Sequence, residues 1–322
     1  MGASTFGGQF DRCITSLRGV WRGLSARHGV PNRGPRSPDL AGSAAVIRQQ
    51  IQECLEARGG EESARARVAN LVRAYLGSSP AGRQKFLRVL AGDFAVDRAR
   101  LSAAVQDYRD ALGELTLLDA QNRLRDALIA PRVRMLVQFN GLPDGIRLLI
   151  DMRKDLLEYA AGDLLLSGLD ADLRHLLAAW FDIGFLELRR ITWDSPASLL
   201  EKLVTYEAVH PVRSWADLKN RLDADRRCYG LFHARMPGEP LIFVEVALVK
   251  GVAGNVQALL DENAPTLDPH GADAAIFYSI SSTQAGLRGI SFGDFLIKKV
   301  VDDLAREFPK LFTFATLSPV PG

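Results

Sequence analysis

The stretch that decides the fold runs from Asp273 to Gly322 and reads DAAIFYSISSTQAGLRGISFGDFLIKKVVDDLAREFPKLFTFATLSPVPG. Ala274–Ser281 is apolar and aromatic, which is typical of a buried strand. From Gly293 onward apolar residues recur every three or four positions until Pro309, and this period predicts an amphipathic helix. Leu311–Leu317 has the length and apolar character of a second strand. The order predicts a right-handed strand–helix–strand unit with parallel strands.

A glycine-bearing loop, with Gly286, Gly289 and Gly293, joins the first of these strands to the helix. In such units ligands bind beyond the carboxyl ends of the strands. The loop opens a helix, so several N–H groups and the positive end of the helix dipole face one point. This arrangement suits phosphate, and Arg288 offers a charge-assisted contact. The glycine spacing is neither a Walker loop nor the dinucleotide fingerprint, so spacing alone favours an ordinary glycine-rich strand-to-helix turn over an anion site.

The full residue pattern of the stretch is more specific than the spacing of its glycines. The pattern FYSIS-x-TQ-x-GL-x-G-x-x-x-G-x-FLIK-x-VV, followed by EFP and LSPVPG, resembles the malonyl-CoA decarboxylase family, and the resemblance begins near Leu136. Four upstream phrases belong to it: YEAVHPV (Tyr206–Val212), RRCY (Arg226–Tyr229), PGEPLIFVEVAL (Pro237–Leu248) and NVQALL (Asn255–Leu260).

The resemblance implies both a fold and a reaction. The fold class is α+β and multidomain: an all-α helical bundle followed by a partial GNAT-like α/β domain with a mixed sheet. The reaction converts malonyl-CoA to acetyl-CoA and carbon dioxide. Two alternatives remain open: a non-catalytic CoA-binding or oligomerisation module, and an N-acyltransferase of the same fold.

The resemblance also implies the residues of the site. The catalytic serine of the family matches Ser318, although a hydroxyl that caps the turn before Pro319 is the structural alternative. Tyr278–Ser281 would supply strand backbone beside the pantetheine arm. The CoA pyrophosphate would bind at seven consecutive residues: Arg288, Gly289, Ile290, Ser291, Phe292, Gly293 and Asp294.

A second catalytic group of the family is a histidine well downstream of the serine. The chain ends at Gly322, four residues after Ser318, and none of His210, His233 and His270 matches that histidine. We therefore expect an amino-terminal part of a decarboxylase, cut short by a frameshift, gene fragmentation, an incomplete assembly or a chosen expression boundary. On this expectation, residues 1–322 alone do not decarboxylate malonyl-CoA at an enzymatic rate.

Decarboxylation of a malonyl thioester needs no metal and no organic cofactor, because the thioester itself accepts the electron pair. We therefore expect no cofactor, and CoA is part of the substrate. The protein must hold CoA, stabilise charge on the thioester oxygen and deliver a proton to carbon.

Composition bounds the class of protein. The 322 residues are 47% hydrophobic and 24% charged, with a formal net charge of +2, as expected of a globular protein. We expect no nucleic-acid partner, because no dense basic block with interleaved aromatics occurs. We expect no membrane partner, because no apolar run approaches the ~20 residues of a span. The three cysteines form no CxxC pair, which favours a reducing compartment, the cytoplasm.

The rest of the chain divides into three parts. Residues 1–40 are rich in Gly, Ser, Pro and Arg and predict a flexible basic tail, with an organellar transit peptide as the alternative. The resemblance implies that residues 191–322 are the partial GNAT-like catalytic domain, which would bind malonyl-CoA. Residues 41–190 are predicted to form the helical bundle, through which the family resemblance implies a homo-oligomer. The predicted helices are Ala44–Ala57, Ser63–Leu76, Ala81–Leu90, Val96–Leu112, Leu115–Ala130, Pro131–Phe139, Asp144–Tyr159 and Ala171–Arg189, and their scattered Arg and Asp are expected to be solvated.

Overall fold

The computed structural model of the chain describes residues 43–56 and 60–318, so the predicted tail at 1–40 lies outside the described residues. The first part is helical, as predicted, and the second part contains the strands. The helices of the first part are α1 (Ala44–Leu55), α2 (Glu61–Gly77), α3 (Pro80–Asp93), α4 (Arg98–Asp110), α5 (Glu114–Leu128), α6 (Pro131–Asn140), α7 (Gly145–Tyr159) and α8 (Leu164–Trp180).

Strands and helices alternate in the second part of the chain. The predicted strand–helix–strand unit is present. The elements are β1 (Leu186–Ile191), α9 (Ala197–Tyr206), α10 (Trp215–Arg221), β2 (Arg226–His233), β3 (Pro240–Val249), α11 (Val256–Leu259), β4 (Ala274–Ser282), α12 (Gly293–Glu307) and β5 (Thr313–Thr316).

Contacts between residues divide the chain into two compact units. Of the described residues, one unit contains 43–56, 60–142 and 163–169, and the other contains 143–162 and 170–318. Helix α7 therefore shares a unit with the strands, although the predicted helical domain runs to residue 190. The boundary at 190 stays a prediction, since a compact unit and a domain of a family need not share their limits.

The last predicted helix of the bundle, Ala171–Arg189, is wrong in its position. Helix α8 starts earlier, where the Asp163 carboxylate accepts from the Leu165 and Leu166 amides at 3.0 and 3.3 Å. The helix ends at Trp180, and β1 begins at Leu186 and pairs antiparallel with β2. The predicted helix includes Leu186–Arg189, but pairing with β2 gives these residues the backbone conformation of a strand.

The described strands form a five-stranded mixed sheet in the order β1–β2–β3–β4–β5. The first three pairings are antiparallel, and β4 pairs with β5 in parallel, with Ala274 opposite Thr313 and Phe277 opposite Thr316. This confirms the mixed sheet expected from the sequence. A register shift between Glu245 and Val246 interrupts the β3–β4 ladder, as in a β-bulge.

Helices cover both faces of the sheet. On one face, Tyr229 donates a hydrogen bond to the Asp303 carboxylate of α12 at 2.8 Å. On the other, Cys228 packs with Leu200 of α9 and Leu218 of α10. Successive residues of a strand point to opposite faces, so these two neighbours show that the sheet is buried on both sides. No helix among the described residues is long and apolar enough to cross a membrane.

A buried ionic group lies under the sheet. The Arg221 guanidinium donates to Asp217 at 2.9 Å and to Glu245 at 3.0 Å, and none of the three side chains exceeds 1% exposure. Burial raises the pKa of Glu245 to about 7, and the attraction of Arg221 only partly opposes this rise. The folded protein therefore binds a proton at Glu245 more readily than the unfolded chain does.

We predict a distinct pH dependence for Glu245→Gln. The pKa of Glu245 rises from its ordinary value of 4.5 to about 7 on folding. This group therefore makes the parent progressively less stable as pH increases from about 4.5 to 7. The glutamine side chain does not titrate, so thermal unfolding should show the melting temperature of the variant gaining on the parent across that range. Parallel curves for the two proteins would contradict the prediction.

Candidate functional site

The loop predicted to bind an anion, residues 283–292, lies between β4 and α12 and is called the anion loop. After β4 ends at Ser282, a 3-10 turn follows and α12 begins at Gly293. The first hydrogen bond of the helix runs from the Leu296 amide to the Phe292 carbonyl at 2.9 Å. Phe292, the residue before the helix, makes no capping hydrogen bond with its side chain. The first-turn N–H groups are therefore available to a ligand.

The predicted binding residues differ in their exposure. Gly289 has a φ of +80°, a left-handed conformation that favours glycine. The Phe292 ring lies edge-on to Phe181 with ring centroids 6.4 Å apart, so its side chain anchors the loop. A Cβ on Gly293 would meet no atom within 4 Å. Arg288, Gly289, Ser291 and Asp294 are exposed, Ile290 and Gly293 are half-buried, and Phe292 is buried.

Gly286 has a role that its spacing did not indicate. A Cβ at this position would lie 1.9 Å from the carbonyl oxygen of Ile150 in α7. Any side chain would therefore push the loop off the helix backbone. Gly286 allows the start of the loop to rest directly on α7.

Arg153 of α7 also contacts the loop and was missed from the sequence. Its guanidinium is 2% exposed and donates to the Asp170 carboxylate at 2.8 Å. It also donates to the carbonyls of Gly286 and Arg288 at 2.7 and 2.8 Å. The expectation that the arginines of these helices are solvated is wrong here. The sequence did indicate that Arg153 is buried, because this residue continues the apolar stripe that Ile146 and Leu149 form on α7.

Ser318 lies at the same edge of the sheet as the loop. It is exposed and follows β5, whose last bond to β4 joins the Leu317 amide to the Phe277 carbonyl at 2.8 Å. The loop follows β4, and β4 and β5 are parallel. Their carboxyl ends therefore face the same way, which is the predicted relation between Ser318 and the anion loop.

A buried carboxylate joins the YEAVHPV phrase to β4. Glu207 accepts from the Ser279 hydroxyl at 2.7 and 2.8 Å and from the Ser281 hydroxyl at 3.1 Å. It also accepts from the amides of Val209 and His210 at 2.9 and 2.8 Å. The sequence predicted backbone contacts from this part of β4. The side-chain contacts were indicated by two serines at alternate positions of an apolar strand, because alternate residues point to the same face of the sheet.

Comparison with known proteins now gives the class and the family. The malonyl-CoA decarboxylase N-terminal domain matches residues 94–181, and the C-terminal domain of the same enzyme matches 184–322. The mitochondrial malonyl-CoA decarboxylase of Mus musculus is 39% identical over 95% of this chain and 68% of its own length.

Two solved structures are similar as well. The malonyl-CoA decarboxylase of Rhodopseudomonas palustris has a TM-score of 0.80 and 42% identity, covering 87% of this chain and 67% of that one. The enzyme of Agrobacterium vitis has a TM-score of 0.79 and 40% identity, covering 86% and 66%. These relatives are decarboxylases, so the class of enzyme is that of the carboxy-lyases. The chain belongs to the malonyl-CoA decarboxylase family and spans about two thirds of the length of these relatives.

We predict that Gly286→Ala destabilises the unit that contains the sheet. The added Cβ meets a backbone oxygen of α7, which cannot rotate away as a side chain would. We expect a loss of about 1–3 kcal/mol in the free energy of unfolding, measured with urea. Gly254→Ala is the control, since a Cβ there meets no atom within 4 Å. Equal stability of the two variants would disprove the close approach.

Proposed function

We propose that this member of the family holds the CoA pyrophosphate of malonyl-CoA at residues 288–294 and uses Ser318 at the malonyl end. One observation carries the proposal: an uncapped helix start and Ser318 lie at the same edge of the parallel pair β4–β5. Ligands bind at this edge in parallel α/β units.

The loop suits a pyrophosphate in both shape and charge. The positive φ of Gly289 turns the backbone where no Cβ intervenes, and the open space at Gly293 lets phosphate oxygens approach the helix start. The dipole of a 15-residue helix favours negative charge at that point. Arg288 adds an exposed cation. Asp294 would contribute its amide, because its carboxylate repels phosphate.

Binding the nucleotide part positions the reacting end. When the bond to the carboxylate breaks, carbon dioxide leaves and the electron pair moves into the thioester carbonyl. The Ser318 hydroxyl would donate to the malonyl carboxylate or to the developing enolate oxygen. A proton then adds to carbon to give acetyl-CoA. We propose that no metal or organic cofactor takes part, because the thioester is the electron sink.

We predict that Gly293→Val and Ser318→Ala affect different steps. The valine side chain would occupy the open space at the helix start, so calorimetry should show CoA binding weakened at least ~10-fold, or about 1.4 kcal/mol. Ser318→Ala should leave the Kd for CoA unchanged and lower the rate of acetyl-CoA release about 100- to 1,000-fold. Both variants are compared in residues 1–322 and in that chain continued by the carboxy-terminal part of a solved relative.

Gly238→Val is the control for the added side chain, since a Cβ at Gly238 also meets no atom within 4 Å. If Gly293→Val binds CoA as well as Gly238→Val does, the loop is not the CoA site. If Ser318→Ala turns over at the parent rate in the version that is active, the assignment of the serine is wrong. CoA binding without turnover in either version of the parent would favour the non-catalytic module.

We also propose a homo-oligomer formed through the helical part, in the cytoplasm. The support is a leucine patch at the hairpin of α4 and α5, where Leu112, Leu115 and Leu118 are 99%, 83% and 55% exposed. Apolar side chains clustered on a surface mark interaction sites. For the compartment, the support is that Cys54 and Cys228 are free thiols.

We predict that Leu115→Glu combined with Leu118→Glu lowers the oligomeric state. Two carboxylates would be buried at the contact between copies, which is unfavourable without partners. Sedimentation velocity should show a smaller particle for this variant and an unchanged one for Val252→Glu, a control whose side chain is 69% exposed outside the helical part. A monomeric parent, or an unchanged particle in the double variant, would exclude this surface.

A further inference from the structure

We propose that Arg153 is a positioning residue of the CoA site, which fixes the direction of the loop's amides although its own side chain is buried behind the loop. The inference rests on the proposed function, because Arg153 would orient the backbone amides that are proposed to bind the pyrophosphate.

The contacts of Arg153 are directional. The Nη1 atom donates to two loop carbonyls, those of Gly286 and Arg288, while Nε donates to Asp170. A guanidinium is planar and presents its donors in a fixed fork, so three acceptors fix its orientation. Bonds from an ionised donor are also stronger than bonds between neutral groups. The two carbonyls are therefore held toward α7.

The direction of one carbonyl determines that of the next amide. In a trans peptide the C=O and the following N–H point in opposite directions, and no described residue has a cis peptide bond. Because the Arg288 carbonyl points at Arg153, the Gly289 N–H points away from it. That N–H has no acceptor among the described residues. It is directed to the side of the loop opposite the buried Arg153 side chain, from which CoA would approach in the proposed site.

Lysine is the informative replacement for Arg153. It keeps the charge but replaces the fork by a point cation on a flexible stem, which cannot hold all three acceptors in the same geometry. The ligand would not contact the side chain at position 153 directly, because the Arg153 side chain is only 2% exposed. An effect on CoA binding must therefore pass through the loop.

Arg227 provides a matched control within the same unit. Its side chain is 4% exposed and pairs with Glu307 at 2.8 Å. It also donates to two backbone carbonyls, those of Ala224 and Arg226, at 2.7 and 2.8 Å. Arg227→Lys therefore disturbs the same number and kind of bonds, at the opposite end of α12 from the loop.

The experiment measures the Kd for CoA by calorimetry and amide hydrogen exchange over residues 286–294, with and without CoA. We expect Arg153→Lys to weaken CoA binding about 10-fold and to speed exchange of the loop in the free protein. Arg227→Lys should keep the parent Kd and the parent exchange in the loop. If Arg153→Lys does not fold, Asp170→Ala replaces it, because it releases Nε and lets the guanidinium turn; at least about threefold weaker binding is then expected.

An Arg153→Lys protein, or in its place Asp170→Ala, that binds CoA with the parent Kd would overturn the inference. Equal weakening by Arg227→Lys would also overturn it, since the effect would then be general loss of stability. If the parent itself neither binds CoA nor shows protection in the loop, the proposed function fails and the inference falls with it. Binding by the parent with no change in the variants removes the inference alone.

Discussion

The proposed CoA site depends on the backbone contact between the anion loop and α7. Gly286 comes so close to the Ile150 carbonyl that a single added carbon would lie 1.9 Å from it. Backbone packed against backbone leaves polar groups that must be hydrogen-bonded within the protein. Arg153 meets this need for two loop carbonyls, and Asp170 balances its charge. The contact therefore fixes both where the loop lies and which way its peptides face.

The sheet supplies the second constraint. Helix α12 can present its amino terminus at the ligand edge only because β4 and β5 are parallel, which requires the helix to return along the sheet. Its buried stripe, Leu296, Val300 and Leu304, holds it on one face. On the other side, Glu207 ties the YEAVHPV segment to the serines of β4. The strand that leads into the loop is thus held by both apolar and polar contacts.

The predictions from sequence succeeded where local pattern and tertiary environment agree. The strand–helix–strand order followed from period and length, since β4 is buried along almost its whole length and α12 buries one apolar stripe. They failed where a distant partner decides the outcome. Leu186–Arg189 was predicted as the end of a helix and is part of β1 because β2 pairs with it. Arg153 reads as a surface charge until a loop more than a hundred residues later covers it.

The glycines show the same limit within one loop. The resemblance assigned Gly289 and Gly293 to the pyrophosphate, and the positive φ of the first and the open surroundings of the second suit that role. Gly286 belongs to the same spacing, yet packing against α7 requires it. Spacing marks positions where a side chain is unfavourable, and only the fold distinguishes a ligand from a neighbouring helix as the cause.

A crystal structure of the protein with CoA would test the central claim most directly. The account predicts the pyrophosphate oxygens within hydrogen-bonding distance of amides between Gly289 and Asp294, with Gly286 still in contact with Ile150. CoA bound elsewhere on the chain, or bound at the loop only after the loop has left α7, would contradict it.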